Sequence, residues 1–206
     1  MEELEAFQKG LFYIRIRPPV WRCWPPARRR MVLDVCAPRR QVLAAAIQME
    51  DRGEVVSCDL HPHKDLIHRG AERLGLSCVR PSPPTVRRTG GGSTWCWWTR
   101  PAPGWGDPEK PDIRYKDGPL ASCRRSERHS GQCRAYAEAG RVLLYSTCTI
   151  LRRRTGGHRP LLEGIGVCPG GLLSRTGGEV PEGQLTLWPQ VHGTDGFYLC
   201  RLRKEG

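Results

Sequence analysis

The sequence predicts an α/β fold, with a mostly parallel β-sheet, helices between its first strands and an antiparallel hairpin at its end. Three observations lead to this prediction. Short apolar runs are typical of buried strands, segments with helical spacing separate the first of these runs, and the last two runs flank a Gly/Asp turn. Strands separated by helices pair in parallel, because the helix returns the chain to the same end of the sheet. The 206 residues suffice for one domain with its own core.

The first half of the chain predicts the order strand, helix, strand, helix. MVLDVCA (31–37) has a buried-strand pattern, and QVLAAAIQMEDRG (41–53) predicts a helix that stops at Gly53. EVVSCDL (54–60) predicts a second strand, which ends at Asp59. HKDLIHRGAERLGL (63–76) predicts a second helix, since its apolar residues recur at roughly helical spacing, namely Leu66, Ile67, Leu74 and Leu76.

The C-terminal part predicts the remaining strands. GRVLLYSTCTI (140–150) is a third strand, and QLTLWPQVHGTDGFYLCRLRK (184–204) has the pattern of two strands around a Gly/Asp turn. These runs supply the far side of the sheet and its antiparallel end.

The chain is basic. Its 33 Lys and Arg against 21 Asp and Glu give a net charge of +12, which ordinarily indicates a polyanionic partner such as RNA. No apolar run approaches the roughly 20 residues that a membrane span needs, and the N-terminal MEELEAFQKG is acidic. We therefore expect a cytoplasmic monomer that has no membrane partner.

The ten cysteines include no C-x-x-C pair, which predicts free thiols rather than disulfides. His61 and His63 have no third ligand at a suitable spacing, so no metal is expected.

Four stretches lack any periodicity. They are rich in Arg, Pro, Gly, Ser and Trp, and taken alone they would be loops, linkers or basic tails. They occupy residues 15–30, 79–106, 124–133 and 151–160, where an α/β domain needs strands and helices.

Between these stretches lie segments that resemble, in this order, the catalytic domain of the RNA (cytosine-C5) methyltransferases of the RsmB/NOP-Sun family. They are LEAFQKGLFY, VLDVCA, DRGEVVSCDLHPHK, PDIRYK, LLYSTCTIL and HGTDGFYLCRLRK. The resemblance implies a Rossmann-like class I fold, S-adenosylmethionine as cofactor and ribosomal RNA as partner. Residues 1–30 would be a lead-in segment and residues 31–206 the catalytic domain, with no counterpart of the family's N-terminal RNA-binding domain.

The family pattern breaks in the stretches without periodicity, and a shifted reading frame explains the break. Where the family has an apolar strand and then Asp-Ala-Pro-Cys-Ser-Gly, this chain has TWCWWTRPAPGWG (94–106). Read one base earlier, with permitted wobble bases, its codons spell Asp-Val-Val-Leu-Val-Asp-Ala-Pro-Cys-Ser-Gly-Leu-Gly. The codons of Arg39, Arg40 and Gln41, CGG-CGG-CAA followed by G, read GGC-GGC-AAG when shifted by one base, which is the family's Gly-Gly-Lys. Out-of-frame GC-rich codons yield Arg, Pro, Gly and Trp, so part of the +12 charge needs no functional explanation.

The resemblance assigns the catalytic nucleophile to Cys148, which would add to C6 of cytosine and make C5 able to accept a methyl group. The alternative is a buried structural cysteine at a strand end. Cofactor binding is assigned to Cys36, Ala37 and Pro38, where the cofactor turn begins, and to Asp59, on the ribose hydroxyls. The alternative for Asp59 is a solvated helix cap.

Other positions depart from the family. Thr99 stands in place of the Asp that recognises cytosine, and Ala102 in place of a second Cys. The Arg side chains in the cofactor turn would obstruct close backbone approach to the cofactor. We therefore expect an impaired or inactive enzyme that folds poorly, because polar and Pro-rich segments occupy core-strand positions.

Two alternatives remain open. One is a non-catalytic RNA-binding protein that uses the Arg runs (28–30 and 152–154) and stacks bases on Trp95, Trp97 and Trp98. The other is a non-functional product of a frame-shifted gene. His192, Asp195 and Gly196 match the family's C-terminal signature, and we expect them to be structural.

Overall fold

The structure is a computed structural model that describes residues 3–14, 30–34, 39–58, 64–82, 95–100, 142–150, 166–167, 172–173, 179–180, 183–193 and 195–203. Its helices are α1 (Glu5–Gln8), α2 (Arg39–Gln48), α3 (Lys64–Arg73) and α4 (Pro189–His192). Its strands are β1 (Arg30–Asp34), β2 (Gly53–Cys58), β3 (Val79–Ser82), β4 (Trp95–Arg100), β5 (Val142–Thr147), β6 (Gly166–Val167), β7 (Leu172–Leu173), β8 (Glu179–Val180), β9 (Gln184–Leu187) and β10 (Phe197–Arg203).

The predicted α/β sheet is confirmed. The main sheet has the order β3-β2-β1-β4-β5-β10-β6, with β9 also pairing with β10. Strands β3, β2, β1, β4 and β5 are parallel to one another, whereas β10 is antiparallel to β5, β6 and β9. From β1 the chain adds β2 and β3 on one side and then β4 on the other, so the strand order reverses between β1 and β4. β7 and β8 form a separate antiparallel pair.

Several element boundaries differ from the prediction. The helix expected to reach Gly53 ends at Gln48, because Glu50 and Asp51 both have a φ of 55°, in the left-handed region. Strand β2 ends at Cys58, one residue before the predicted end at Asp59. The predicted turn of the C-terminal hairpin contains the short helix α4, whose first residue is Pro189.

The stretch 79–106 has the composition of a loop but occupies a place where an α/β domain needs strands and helices. It contributes two strands, β3 and β4. β3 is an edge strand that pairs only with β2 among the described strands, and a proline at position 81 is tolerated there, since an edge strand has one side without ladder hydrogen bonds. β4 lies between β1 and β5 at the centre of the sheet, and Cys96 and Trp97 are buried. The expected disruption of a core strand is therefore wrong for residues 95–100.

The core lies on both faces of the sheet. Because strand side chains alternate between faces, Val32, Val55 and Trp97 join one cluster and Leu33, Val56 and Cys96 the other. The first cluster also contains the apolar sides of α2 and α3, such as Val42 and Ile67. Both helices therefore cover the face that bears Trp97.

The N-terminal segment is held against α3 by Arg73. The guanidinium group lies 3.8 Å from the centre of the Phe7 ring and donates a hydrogen bond of 3.0 Å to the carbonyl oxygen of Phe12. Gly10 has a φ of 74°, and a Cβ at this position would meet the Arg73 carbonyl oxygen at 1.8 Å. This contact leaves no room for a side chain.

Among the helices that the structure describes, none is long and apolar enough to cross a membrane.

Candidate functional site

The candidate site lies at the edge of the sheet where the parallel strands end. Asp34, Cys58, Arg100 and Thr147 are the last residues of β1, β2, β4 and β5, and all four strands run in the same direction. In open α/β sheets, ligands bind outside the carboxyl ends of the strands where the strand order reverses. Here that position is between β1 and β4.

Cys148 is the predicted site residue that the structure places at this edge, directly after β5. Its thiol is not part of a disulfide, is half-buried, and packs against the cluster that contains Trp97. Thr147 and Thr149, on either side of it, have no exposed surface. Buried neighbours hold the backbone in place, so the thiol has a fixed position and partial access to solvent.

The other described thiols have surroundings that suppress reactivity. Cys58, Cys78, Cys96 and Cys200 are buried. Burial, as the largest cause, raises the pKa of Cys78 and the pKa of Cys200 each to about 12. Burial also raises the pKa of Cys96, and the nearby Asp34 raises it further. Since the thiolate is the nucleophilic form, Cys148 is the best candidate nucleophile among the described cysteines.

The remaining predicted site residues lie outside the described part of the chain. Cys36, Ala37 and Pro38 follow β1 in the sequence, and Asp59 follows β2. The same holds for Ala102.

Asp34 is a residue of this edge that sequence analysis missed. It ends β1, is 1% exposed, and pairs in register with Ser57 of β2 and Trp97 of β4. A buried acid is unusual, because an ionised carboxylate loses its hydration on burial. The sequence does contain a signal for this position, because Asp34 is the one charged residue within the apolar run MVLDVCA.

Trp97 belongs to the core cluster against which Cys148 packs. It is fully buried between β1 and β5, and its indole N–H donates a hydrogen bond of 3.0 Å to the Ser146 hydroxyl, two residues before Cys148. A fully buried ring has no face available to a base. The base-stacking interpretation is therefore wrong for Trp97, whereas the side chains of Trp95 and Trp98 are outside the described part.

The C-terminal signature lies beside Cys148. In the β5–β10 ladder Thr147 pairs with Tyr198, so the start of β10 and the residues before it, Asp195 and Gly196, adjoin the residues that follow β5. His192 ends α4, and its Nδ1 accepts a hydrogen bond of 2.8 Å from the Trp188 N–H. The expectation of a structural role for His192 agrees with this bond.

No group of three or more His, Cys, Asp or Glu side chains that could hold a metal ion occurs among the described residues. His61 and His63 lie outside them.

Sequence comparison relates the chain to ribosomal RNA methyltransferases. It is 33% identical over 205 residues to the "probable ribosomal RNA small subunit methyltransferase B" of Bacillus subtilis strain 168, covering 91% of this chain and 46% of that protein. It is also 35% identical over 77 residues to ribosomal RNA small subunit methyltransferase F of Aeromonas hydrophila, covering 32% of this chain and 15% of that protein. This chain thus spans about half the length of the first relative and 15% of the length of the second. No protein-family model matches the chain.

Structure comparison gives the same fold. NSun6 from Pyrococcus horikoshii, solved with the S-adenosylmethionine analogue SFG, superposes with a TM-score of 0.83 at 23% identity, covering 100% of this chain and 56% of that one. A methyltransferase homologue from the same organism superposes with a TM-score of 0.74 at 21% identity, covering 99% of this chain and 72% of that one. The fold is that of the Rossmann-like S-adenosylmethionine-dependent methyltransferases.

Proposed function

Because this chain belongs to the family of the ribosomal RNA small subunit methyltransferases, we propose that it is an RNA cytosine-C5 methyltransferase domain with Cys148 as its nucleophile. The observation that carries this proposal is the position of Cys148. A half-buried thiol that is not part of a disulfide follows β5 at the edge where the parallel strands end, beside β4 and the strand-order reversal. Such an edge is where a cofactor and a substrate can meet.

The proposed chemistry requires a thiolate. Cys148 adds to C6 of cytosine, and the electrons of the C5–C6 double bond make C5 nucleophilic. S-adenosylmethionine, when bound, supplies the methyl group that C5 accepts. Loss of the C5 proton to a base then restores the double bond and expels the Cys148 thiolate. Partial burial of Cys148 limits the access of water to the covalent adduct.

The carboxyl ends of β1 and β2 are a suitable position for the cofactor. Cys36, Ala37, Pro38 and Asp59, which we propose as cofactor-binding residues, follow β1 and β2 in the sequence. A crevice at the strand-order reversal is the usual place for a nucleoside cofactor in α/β sheets.

We further propose that the cofactor binds weakly. Arg39, Arg40 and Gln41 form the first turn of α2, where the family has Gly-Gly-Lys. Glycines allow the backbone to approach a ligand closely, and longer side chains at these positions prevent it. Thr99 also lacks the carboxylate that the family uses to recognise cytosine. Methyl transfer is therefore slow, although the nucleophile is retained.

A trapping experiment separates the nucleophile from turnover. RNA that contains 5-fluorocytidine cannot lose a proton from C5, so the methylated adduct stays attached to the cysteine. With protein in excess and cofactor present, we expect a denaturation-resistant protein–RNA adduct that Cys148→Ala abolishes. Cys200→Ala, which removes a buried thiol, is the matched control and should retain the adduct. An adduct that survives Cys148→Ala, or none with the unaltered chain, contradicts the proposal.

The alternative of a non-catalytic RNA-binding protein receives less support. It uses the Arg runs 28–30 and 152–154 together with the tryptophan cluster as a stacking surface, and Trp97, the central member of that cluster, is fully buried.

A further inference from the structure

An exposed apolar surface lies on α4 and the residue before it. The side chain of Trp188 is 39% exposed and that of Val191 is 69% exposed. The two residues are three positions apart, so they are neighbours on one side of the helical turn. We call this pair the α4 surface.

The α4 surface is close to Cys148. β10 lies between β5 and β9, and Thr147, Tyr198 and Thr186 form one row across these strands. β9 runs parallel to β5, so both strands end at the same edge of the sheet. α4 follows β9 at this edge, and Cys148 follows β5 there. Adjacent strands are about 4.8 Å apart, which places the backbone of Trp188 about 10 Å to the side of Cys148.

The backbone of Trp188 is held on both sides. Its N–H donates to Nδ1 of His192 at 2.8 Å, and its carbonyl oxygen accepts the N–H groups of Val191 at 3.1 Å and His192 at 2.8 Å. Nδ1 of His192 also lies 3.1 Å from the Trp188 carbonyl oxygen, so the imidazole ring contacts both polar groups of the Trp188 backbone. An aromatic ring on a fixed backbone loses little conformational entropy when a ligand packs against it.

We infer that Trp188 is the surface on which a nucleobase of the RNA substrate stacks beside the Cys148 site, and that His192 is its positioning residue. This inference rests on the proposed function. Among the described residues the α4 surface has two exposed apolar side chains, which are far too few for a protein partner, since stable interfaces bury about 800 Å² on each side. One indole ring is large enough to stack on one planar base, and stacking orients that base. The net charge of +12 attracts RNA but does not orient a base.

The test measures the affinity for a fluorescein-labelled single-stranded RNA by anisotropy. Trp188→Ala is expected to weaken binding by about 5- to 150-fold, the range for loss of one aromatic–base stack. Trp188→Phe keeps a ring and should retain most of the affinity. The control is Leu11→Ala, a 74% exposed apolar residue in the N-terminal segment, and it should have no effect. Far-UV circular dichroism and melting curves confirm that each variant is folded.

An abasic RNA of the same length distinguishes stacking from backbone contact. The loss caused by Trp188→Ala should disappear on this strand, and the salt dependence of binding should be the same for the variant and the unaltered chain. His192→Ala should weaken binding to the normal strand. His192→Asn, whose side-chain oxygen can accept the Trp188 N–H, should restore part of it.

The outcomes separate this inference from the proposed function. If the unaltered chain binds RNA and forms the Cys148 adduct but Trp188→Ala binds equally well, the stacking surface is refuted alone. A loss that persists on the abasic strand also refutes it. If the unaltered chain neither binds RNA nor forms the adduct, both the proposed function and this inference fail.

Discussion

Trp97→Phe tests whether residues 95–100 form a central core strand. The substitution removes the indole N–H, which donates a 3.0 Å hydrogen bond to the Ser146 hydroxyl, and leaves a smaller ring in a fully buried position. Loss of a neutral hydrogen bond lowers the free energy of unfolding by about 1 kcal/mol. A residual void of roughly 40 Å³, at about 24 cal/mol per Å³, lowers it by about another 1 kcal/mol.

The expected total for Trp97→Phe is therefore about 2 kcal/mol, or a fall in Tm of about 4–8 °C for a chain of this size. Urea unfolding followed by circular dichroism measures it. Trp188→Phe changes an exposed tryptophan and should shift the free energy of unfolding by less than about 0.5 kcal/mol. In a double-mutant cycle, Trp97→Phe and Ser146→Ala should be coupled by about 1 kcal/mol. If Trp97→Phe is as mild as Trp188→Phe, Trp97 is not packed in the centre of the sheet.

Two further predictions concern stability. Gly10→Ala places a Cβ 1.8 Å from the Arg73 carbonyl oxygen at a φ of 74°, so the N-terminal segment should detach and residues 3–14 should exchange amide hydrogens faster; unchanged exchange would show that the contact with α3 is absent. Burial alone would raise the pKa of Asp51, but hydrogen bonds from Ser77 and Cys78 outweigh it and lower the pKa from 3.8 to about 2. The stabilisation by Asp51 is therefore complete above about pH 4 and lost as the pH falls through about 2, and Asp51→Asn should be less stable than the unaltered chain at pH 7 but nearly equal to it at pH 2. A difference in unfolding free energy that does not shrink on acidification would rule this out.

The elements that could be predicted from the sequence are those whose apolar residues follow the pattern of a buried strand or the spacing of a helix. The apolar runs that form β1, β2, β5 and β10 have no competing interpretation, and α2 and α3 have helical length and spacing. Helix ends were less predictable, since the left-handed backbone at Glu50 and Asp51 is set by the hydrogen bonds of Asp51 to residues 26 and 27 positions away.

Strands β3 and β4 could not be predicted from local pattern. Position 81 is a proline, which argues against a strand unless the strand lies at an edge, and edge position depends on the whole sheet. In β4 the neighbouring residues Cys96 and Trp97 are both buried, on opposite faces of the sheet, and the strand ends in Thr and Arg. Apolar and polar residues therefore do not alternate along it. Tertiary pairing with β1 and β5 decides the conformation of this segment.

The candidate site was partly predictable. Cys148 could be named because the resemblance and the strand pattern agree on its position after β5. Asp34 was missed because a single acid in an apolar run has no local pattern of its own. The proximity of Trp188 to Cys148 follows only from the pairing of β9 and β10, which brings residues 40 positions apart to the same edge.

Whether Cys148 is the nucleophile of an RNA cytosine-C5 methyltransferase is best tested by methyl transfer from tritiated S-adenosylmethionine to ribosomal RNA, using a variant with family residues restored. It combines Arg39→Gly, Arg40→Gly, Gln41→Lys, Thr99→Asp and Ala102→Cys. We predict label on C5 of cytosine, complete loss of label when Cys148→Ala is added, and transfer slower by at least about 100-fold in the unaltered chain. Transfer that persists with Cys148→Ala, no transfer by the restored variant, or equal transfer by the unaltered chain would contradict the account.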